Sequence, residues 1–243
     1  MSSLVNTSVT VAEVERWLHA LYIGDETACL RKEERQKAIQ IAAILREVAL
    51  AANRLSQRSR LTLVDVAAGK SYLGLLAAKL LFEPSGRDAS VVTLEREPRR
   101  VAISRSALSR LGTKVPVECR MADAIDAAAW PDAPAIVVAL HACGRAADDI
   151  IDRAAGSRAR TLLLVPCCTS RAVASLAQAE TLARELGIPR QAPVRRRFLQ
   201  ALVDADRTRR LEGLGYRTEV VEFVGATVTP HNLLWRAVGR FDA

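Results

Sequence analysis

The stretch Leu61 to Gly74, LTLVDVAAGKSYLG, constrains this chain more than any other. Leu61-Thr62-Leu63-Val64 is a short apolar run of β-favouring residues. It ends on an acid, Asp65, and a small-residue turn, Val66-Ala67-Ala68-Gly69. Tyr72, Leu73, Leu75, Leu76, Leu80 and Leu81 then recur at helical spacing. Strand, tight turn and helix make the first unit of a doubly wound α/β fold. Small residues at such a turn let backbone N–H groups approach a ligand closely, and the helix N-terminus adds a positive partial charge.

The same alternation continues down the chain. Ser90–Leu94 is predicted as a second strand ending on Glu95, Val115–Met121 as a third leading to Ala122-Asp123-Ala124, Pro134–Leu140 as a fourth, and Thr161–Val165 as a fifth. Helices are predicted between them at Pro98–Leu111 and Ala146–Ala155. The fourth and fifth runs are continuously apolar, as strands buried on both faces must be. Three acids, Asp65, Glu95 and Asp123, each follow a predicted strand. In a parallel sheet they would share one carboxyl edge, where such folds bind ligands. Upstream, helices are expected over Val11–Tyr22 and about Arg31–Leu55. The second carries Ile41, Ile44, Leu45, Val48, Ala52 and Leu55 on one face. Beyond Ser170 the pattern gives helices at Arg171–Leu186 and Phe198–Leu211, then strands at Tyr216–Val224 and Asn232–Val238.

Composition limits what this architecture can serve. The chain has 243 residues, half of them apolar, which is enough for a substantial core. No apolar run approaches the roughly 20 residues of a membrane span, and the first residues lack the basic and apolar regions of a secretory signal. Five cysteines, two of them adjacent at Cys167 and Cys168, do not read as a disulfide framework, so a reducing, cytoplasmic setting is expected. The net charge of +8 favours a polyanionic partner, although a general arginine bias would give the same surplus.

Asp65 and Gly69 occupy the acid and middle-glycine positions of D/E-x-G-x-G-x-G, with Ala67 and Ser71 in place of the outer glycines. The chain therefore resembles the class I S-adenosylmethionine (SAM)-dependent methyltransferases. Leu140-His141-Ala142-Cys143-Gly144 after strand four and Cys167-Cys168 after strand five are similar to one branch of that family. It contains acceptor-stem tRNA 2′-O-methyltransferases and methyltransferase-like proteins with D-x-x-x-G-K-x-x-L, matched here by Asp65, Gly69, Lys70 and Leu73. The zinc-finger modules of the tRNA enzymes have no counterpart in this sequence. The resemblance implies an α/β fold with a Rossmann-like seven-stranded sheet and helices on both faces. An N-terminal helical cap (residues 1–58) would precede the SAM-binding domain (59–243). It implies SAM as cofactor, with Ala67, Gly69 and Lys70 on its methionine side, Asp65 near the amino group or supporting the loop, Glu95 (alternatively Glu97) at the ribose, Asp123 at the adenine, and Ala124 and Leu140 also against the cofactor.

His141, Cys143, Cys167 and Cys168 would converge at adjacent strand ends beside the donor methyl group. His141 could act as general base or anchor for the acceptor, since imidazole titrates near neutrality. Alternatively the histidine and cysteines only shape the pocket. A third reading makes a thiolate of Cys143 or Cys167 a nucleophile or the cluster a zinc site. The spacing lacks C-x-x-C, so no metal is assigned. Arg31, Lys32, Arg35 or Lys37 could reach substrate from the cap, and His231 and Asn232 from the last hairpin. Arg195, Arg196, Arg197, Arg207 and Arg210 could form a phosphate-contacting ridge for RNA, or a plain solvated helix face. Few aromatics are present to stack bases. RNA leads as acceptor, a small molecule is the alternative, and a protein that binds SAM or nucleic acid without catalysis is the third possibility.

Overall fold

A computed structural model describes residues 4–23, 29–167 and 172–240. Two helices open the chain, α1 (Val11–Tyr22) and α2 (Lys32–Arg54). The first β/α unit follows: β1 (Leu61–Val66), α3 (Tyr72–Leu76), a π-helical turn over Ala77–Phe82, and the short α4 (Glu83–Ser85). Then come β2 (Ala89–Glu95), α5 (Pro98–Leu111), β3 (Val117–Met121), β4 (Ile136–Ala142), α6 (Arg145–Gly156) and β5 (Thr161–Pro166). The last third contains α7 (Ala174–Glu185), α8 (Pro193–Gly213), β6 (Tyr216–Glu222) and β7 (Leu233–Gly239).

The strands form one seven-stranded sheet in the order β3-β2-β1-β4-β5-β7-β6. The first five are parallel and β7 is antiparallel to both β5 and β6. The reversal between β1 and β4 puts a crevice at the carboxyl edge, directly over the turn after β1. Period-two alternation sends successive side chains to opposite faces and creates two cores. Leu63, Val91, Leu163, Val165 and Leu234 pack with α2, α3 and the π turn. Val64, Val92, Val137, Leu162, Leu164 and Trp235 pack with α6 and the end of α8.

Helix α2 is a layer of this fold. Ala38, Ile41, Ile44, Leu45 and Val48 are all buried and belong to the same core as β1 and β5. Two arginine seams hold it there, one an ion pair and one a set of hydrogen bonds to carbonyls. Arg236 on β7 makes a two-pronged pair with Glu47 at 2.7 and 2.8 Å. Arg87 donates to the Ala52 and Ser56 carbonyls at 2.6 and 2.8 Å, where a cation also complements the helix C-terminal dipole. The N-terminal wall of the cleft is thus fixed by the sheet itself.

The C-terminal region departs from its sequence reading at one point. Arg195-Arg196-Arg197 was expected ahead of a helix, but Pro193 starts α8, so these residues lie in its first turns. Proline needs no N–H partner there and its φ suits a helix start. The expected helix start at Arg171 lies outside the described residues. Among the described residues, no helix is long and apolar enough to cross a membrane.

Candidate functional site

The turn after β1 is built from left-handed backbone. Ala67, Gly69 and Ser71 have φ of 53°, 61° and 57°, which only glycine adopts without cost. A Cβ on Gly69 would meet nothing within 4 Å, so the turn is open on its ligand side. Gly74 is different. A Cβ there would stand 2.8 Å from Thr93 Cγ2 and 3.1 Å from Asp65 Oδ2. It is the residue that lets α3 approach β1 and β2. Buried Ser71 adds a hydrogen bond to Thr93 Oγ1 at 3.0 Å.

Two acids hold the turn. Asp65, 2% exposed, accepts from Gly74 N–H at 2.9 Å. Burial, reinforced by the nearby charge of Glu95, raises its pKa to about 7 against the lowering effect of that hydrogen bond. Glu95 accepts from Gly69 N–H at 2.7 Å through Oε2 and from Glu97 N–H at 3.0 Å through Oε1. Each carboxylate oxygen has a second lone pair for a ligand hydroxyl. Asp123 accepts from Ile125 N–H at 3.3 Å and lies 3.6 Å from Arg96.

Two adjoining cavities open along this edge. One, about 350 Å³, is lined by Asp65, Ala67, Gly69, Lys70, Leu140 and His141, and also by Lys37, Ile41, Tyr72 and Arg100. The other, about 470 Å³, is lined by Glu95, Asp123, Ala124, Cys143, Gly144, Arg145 and Asp149. Ala67, Arg100 and His141 border both, so the two form one cleft. Every residue assigned from sequence to SAM lines it. The open left-handed turn, the fixed carboxylate of Glu95 and the paired cavities suit an elongated nucleoside with a charged amino-acid end.

His141 stands at the junction. It has a φ of 65° and sits where the β4–β5 register shifts between Leu140 and Ala142. Its Nε2 contacts Gln40 Oε1 of α2. Burial, and then the positive charges of Lys37 and His231, lower its pKa to about 4, so the ring is neutral at physiological pH. Lys37 lies 4.8 Å from the Tyr72 ring centroid. Desolvation, with Lys70 and Arg100 nearby, lowers its pKa too. Tyr22 pins the turn from above by donating to the Lys70 carbonyl at 2.8 Å.

Several expectations are corrected. Cys143 and Cys167, read as free thiols, are joined in a disulfide across the ends of β4 and β5, with Cα atoms 5.3 Å apart. Neither is a nucleophile in that state, and Cys168 lies outside the described residues. Arg195 is buried and donates to the Ile188 and Glu180 carbonyls. Arg207, 1% exposed, pairs with Asp148 at 3.1 Å and Asp204 at 3.5 Å. Arg210 pairs with Asp152. Only Arg196 and Arg197 of that group remain exposed and outside these pairings. Asn232 is buried and donates to the Val224 carbonyl, which shapes the β6–β7 connector. Arg31 is the exposed N-cap of α2 and lines neither cavity, whereas Lys37 lines the first.

Gln40, Tyr72 and Arg100 escaped the sequence reading. For Gln40 a signal existed: it lies four and eight positions before Ile44 and Val48, a polar residue on the buried stripe of α2.

Comparison with known proteins follows the same lines. Magnesium protoporphyrin IX methyltransferase from Synechocystis PCC 6803 is similar in fold. Its form with bound SAH superposes with a TM-score of 0.55 at 16% identity, over 92% of this chain and 93% of that one. Its form with SAM gives 0.52 at 12% identity, over 96% and 99%. The citrinin polyketide synthase CMeT domain gives 0.56 at 15% identity, over 84% of this chain and 53% of that one. A search of curated proteins returns no match. A family model described as a methyltransferase domain matches residues 36–174, more than half the chain, from the cleft wall on α2 to the start of α7. The chain belongs to this methyltransferase-domain family and is a SAM-dependent methyltransferase.

Proposed function

We propose that the methyl acceptor is an RNA strand, seated in the groove beside α7 and α8, with its nucleophile delivered to His141. The observation that carries this reading is the groove itself. It measures about 970 Å³ and is lined by Arg184, Arg190 and Arg196, by Gln191, Gln200 and His231, and by a single acid, Glu180. His231, on the border of the groove, is also one of the groups whose charge lowers the His141 pKa, which favours a strand that spans from the groove toward the cleft. Arginine side chains there would neutralise phosphates and release counterions. The branch-like Leu140–Gly144 and Cys167-Cys168 sequences add weight to the same reading.

When bound, SAM supplies an electrophilic methyl group on a positively charged sulfur. Ala67, Gly69 and Lys70 hold its methionine side, Glu95 its ribose, and Asp123 and Ala124 its adenine. His141 takes the proton that the acceptor's hydroxyl or amine loses. Its low pKa leaves the ring free to accept a proton but makes it a weak base. A phosphate beside Lys37 and His231 offsets two of the influences that lower that pKa and moves it toward neutrality. An anionic acceptor therefore improves the base that serves it.

A small-molecule acceptor is the second reading. Lys37, Ile41 and Tyr72, which wall the cofactor cleft beside His141 and could close over a small acceptor, favour it. Incubation with methyl-labelled SAM, once with purified host RNA and once with a small-molecule extract, separates the two. Label in RNA that declines with added salt is the expected result. Label confined to the extract overturns the RNA reading.

A further inference from the structure

We infer that Gln40 is a positioning residue for methyl transfer: from the buried face of α2 it fixes the tautomer of His141, so that Nδ1 is the proton-accepting atom. The inference rests on the reading of His141 as base.

Its basis is geometric. Gln40 is buried on the stripe of α2 that packs against the sheet, where an apolar residue would satisfy the pattern better. A buried amide needs partners, and the recorded partner of Gln40 Oε1 is His141 Nε2, 101 positions away in sequence. His141 occupies a left-handed backbone conformation at a break in strand register, which L-residues rarely adopt. There its ring meets α2. The Gln40 oxygen is a carbonyl and has no hydrogen to give, so Nε2 supplies the proton of the bond. A neutral imidazole carries one N–H, so Nδ1 retains its lone pair. Two charged groups act on this ring, Lys37 of α2 and His231 of the last connector. Asp65, Lys70 and Arg100 line one adjoining cavity, and Glu95, Arg96, Asp123, Arg145 and Asp149 line the other. Gln40 adds no net charge to this set and selects which nitrogen is open.

The chain has three histidines, so nitrogen NMR of histidine-labelled protein resolves each ring, with His141→Ala identifying the signal. The wild-type ring is expected as the Nε2-protonated tautomer. Gln40→Leu, which suits the apolar stripe, should give mixed tautomers and a lower rate of label transfer from SAM to host RNA. Gln40→Glu places an anion against Nε2. It should raise the His141 titration by about one unit, and the acid limb of the transfer rate should move with it. Thermal midpoint and SAM affinity report folding in each variant. A merely structural Gln40 would move the midpoint and leave both the tautomer ratio and the acid limb in place. An Nδ1-protonated wild-type ring, or Gln40 variants with unchanged tautomer and titration, overturns the assignment even if His141→Ala abolishes transfer. Wild-type transfer by His141→Ala overturns the base reading, and with it the part of Gln40 in catalysis.

Discussion

The cleft and helix α8 both bury charge beside the same sheet, yet they use it in opposite ways. In the cleft, Asp65 and Glu95 accept from backbone amides of the Gly69–Gly74 segment and keep lone pairs toward the cavities. On α8, Arg195 and Arg207 spend their guanidinium groups on carbonyls and on Asp148 and Asp204. The acids are anchored but available, whereas the arginines are consumed. What separates a binding charge from a structural one is its partner inventory, not its burial or its clustering in sequence.

Arg207→Met should break the α8 side of this contrast most severely. It leaves Asp148 and Asp204 with an uncompensated charge and should cost about 3–5 kcal/mol in chemical denaturation. A stable Arg207→Met that retains RNA poorly would reverse the assignment and make Arg207 a ligand contact. On the cleft side, Glu95→Ala removes the acceptor of two backbone amides and the proposed ribose contact. Calorimetry should show SAM binding about 100-fold weaker, on the scale of one or two charge-assisted hydrogen bonds, while unchanged affinity would move the cofactor elsewhere.

Asp65 sharpens the comparison through pH. Its folded pKa is raised from 3.8 to about 7. Its contribution to stability is therefore fully present below the unfolded value and is lost as pH rises through the folded one. The wild-type thermal midpoint should fall between pH 4 and pH 7, with a slope of at most about 1.4 kcal/mol per unit from this group. Asp65→Asn keeps an acceptor for Gly74 and should flatten that dependence; equal slopes in the two proteins would mean that Asp65 stays ionised throughout. The smallest stability effect belongs to exposed Arg196. Arg196→Glu should change stability by less than about 0.5 kcal/mol yet weaken RNA retention and reduce the salt slope by about one. Unaltered retention would leave α8 without a ligand-facing side.

The cleft was the more legible half because its features are local. A strand, a small-residue turn and an acid at the strand end are written within a few positions, and parallel pairing brings the three ends to one edge. The alternation by itself gave only an α/β class; the seven-stranded Rossmann-like sheet was implied by the family resemblance, and the strand order bears it out. The arginines were misjudged because ion pairing is non-local: Arg207 meets Asp148 across 59 positions, and helical periodicity gives no sign of it. The cysteines were misjudged for a related reason. Their number argued against a framework, but strand register sets Cys143 beside Cys167. Gly74 shows a finer limit, since the pattern marked which residues were small but not which one had to clear the side chains of Asp65 and Thr93.

The sequence alone determined the α/β architecture and the acids at its carboxyl edge, because both follow from side-chain period and chain order. Tertiary structure alone decided which charges remain free for a ligand and which residue His141 meets through Nε2. Those depend on partners supplied by distant elements, such as Gln40 for His141 and Asp148 for Arg207, and on the burial that only packing creates.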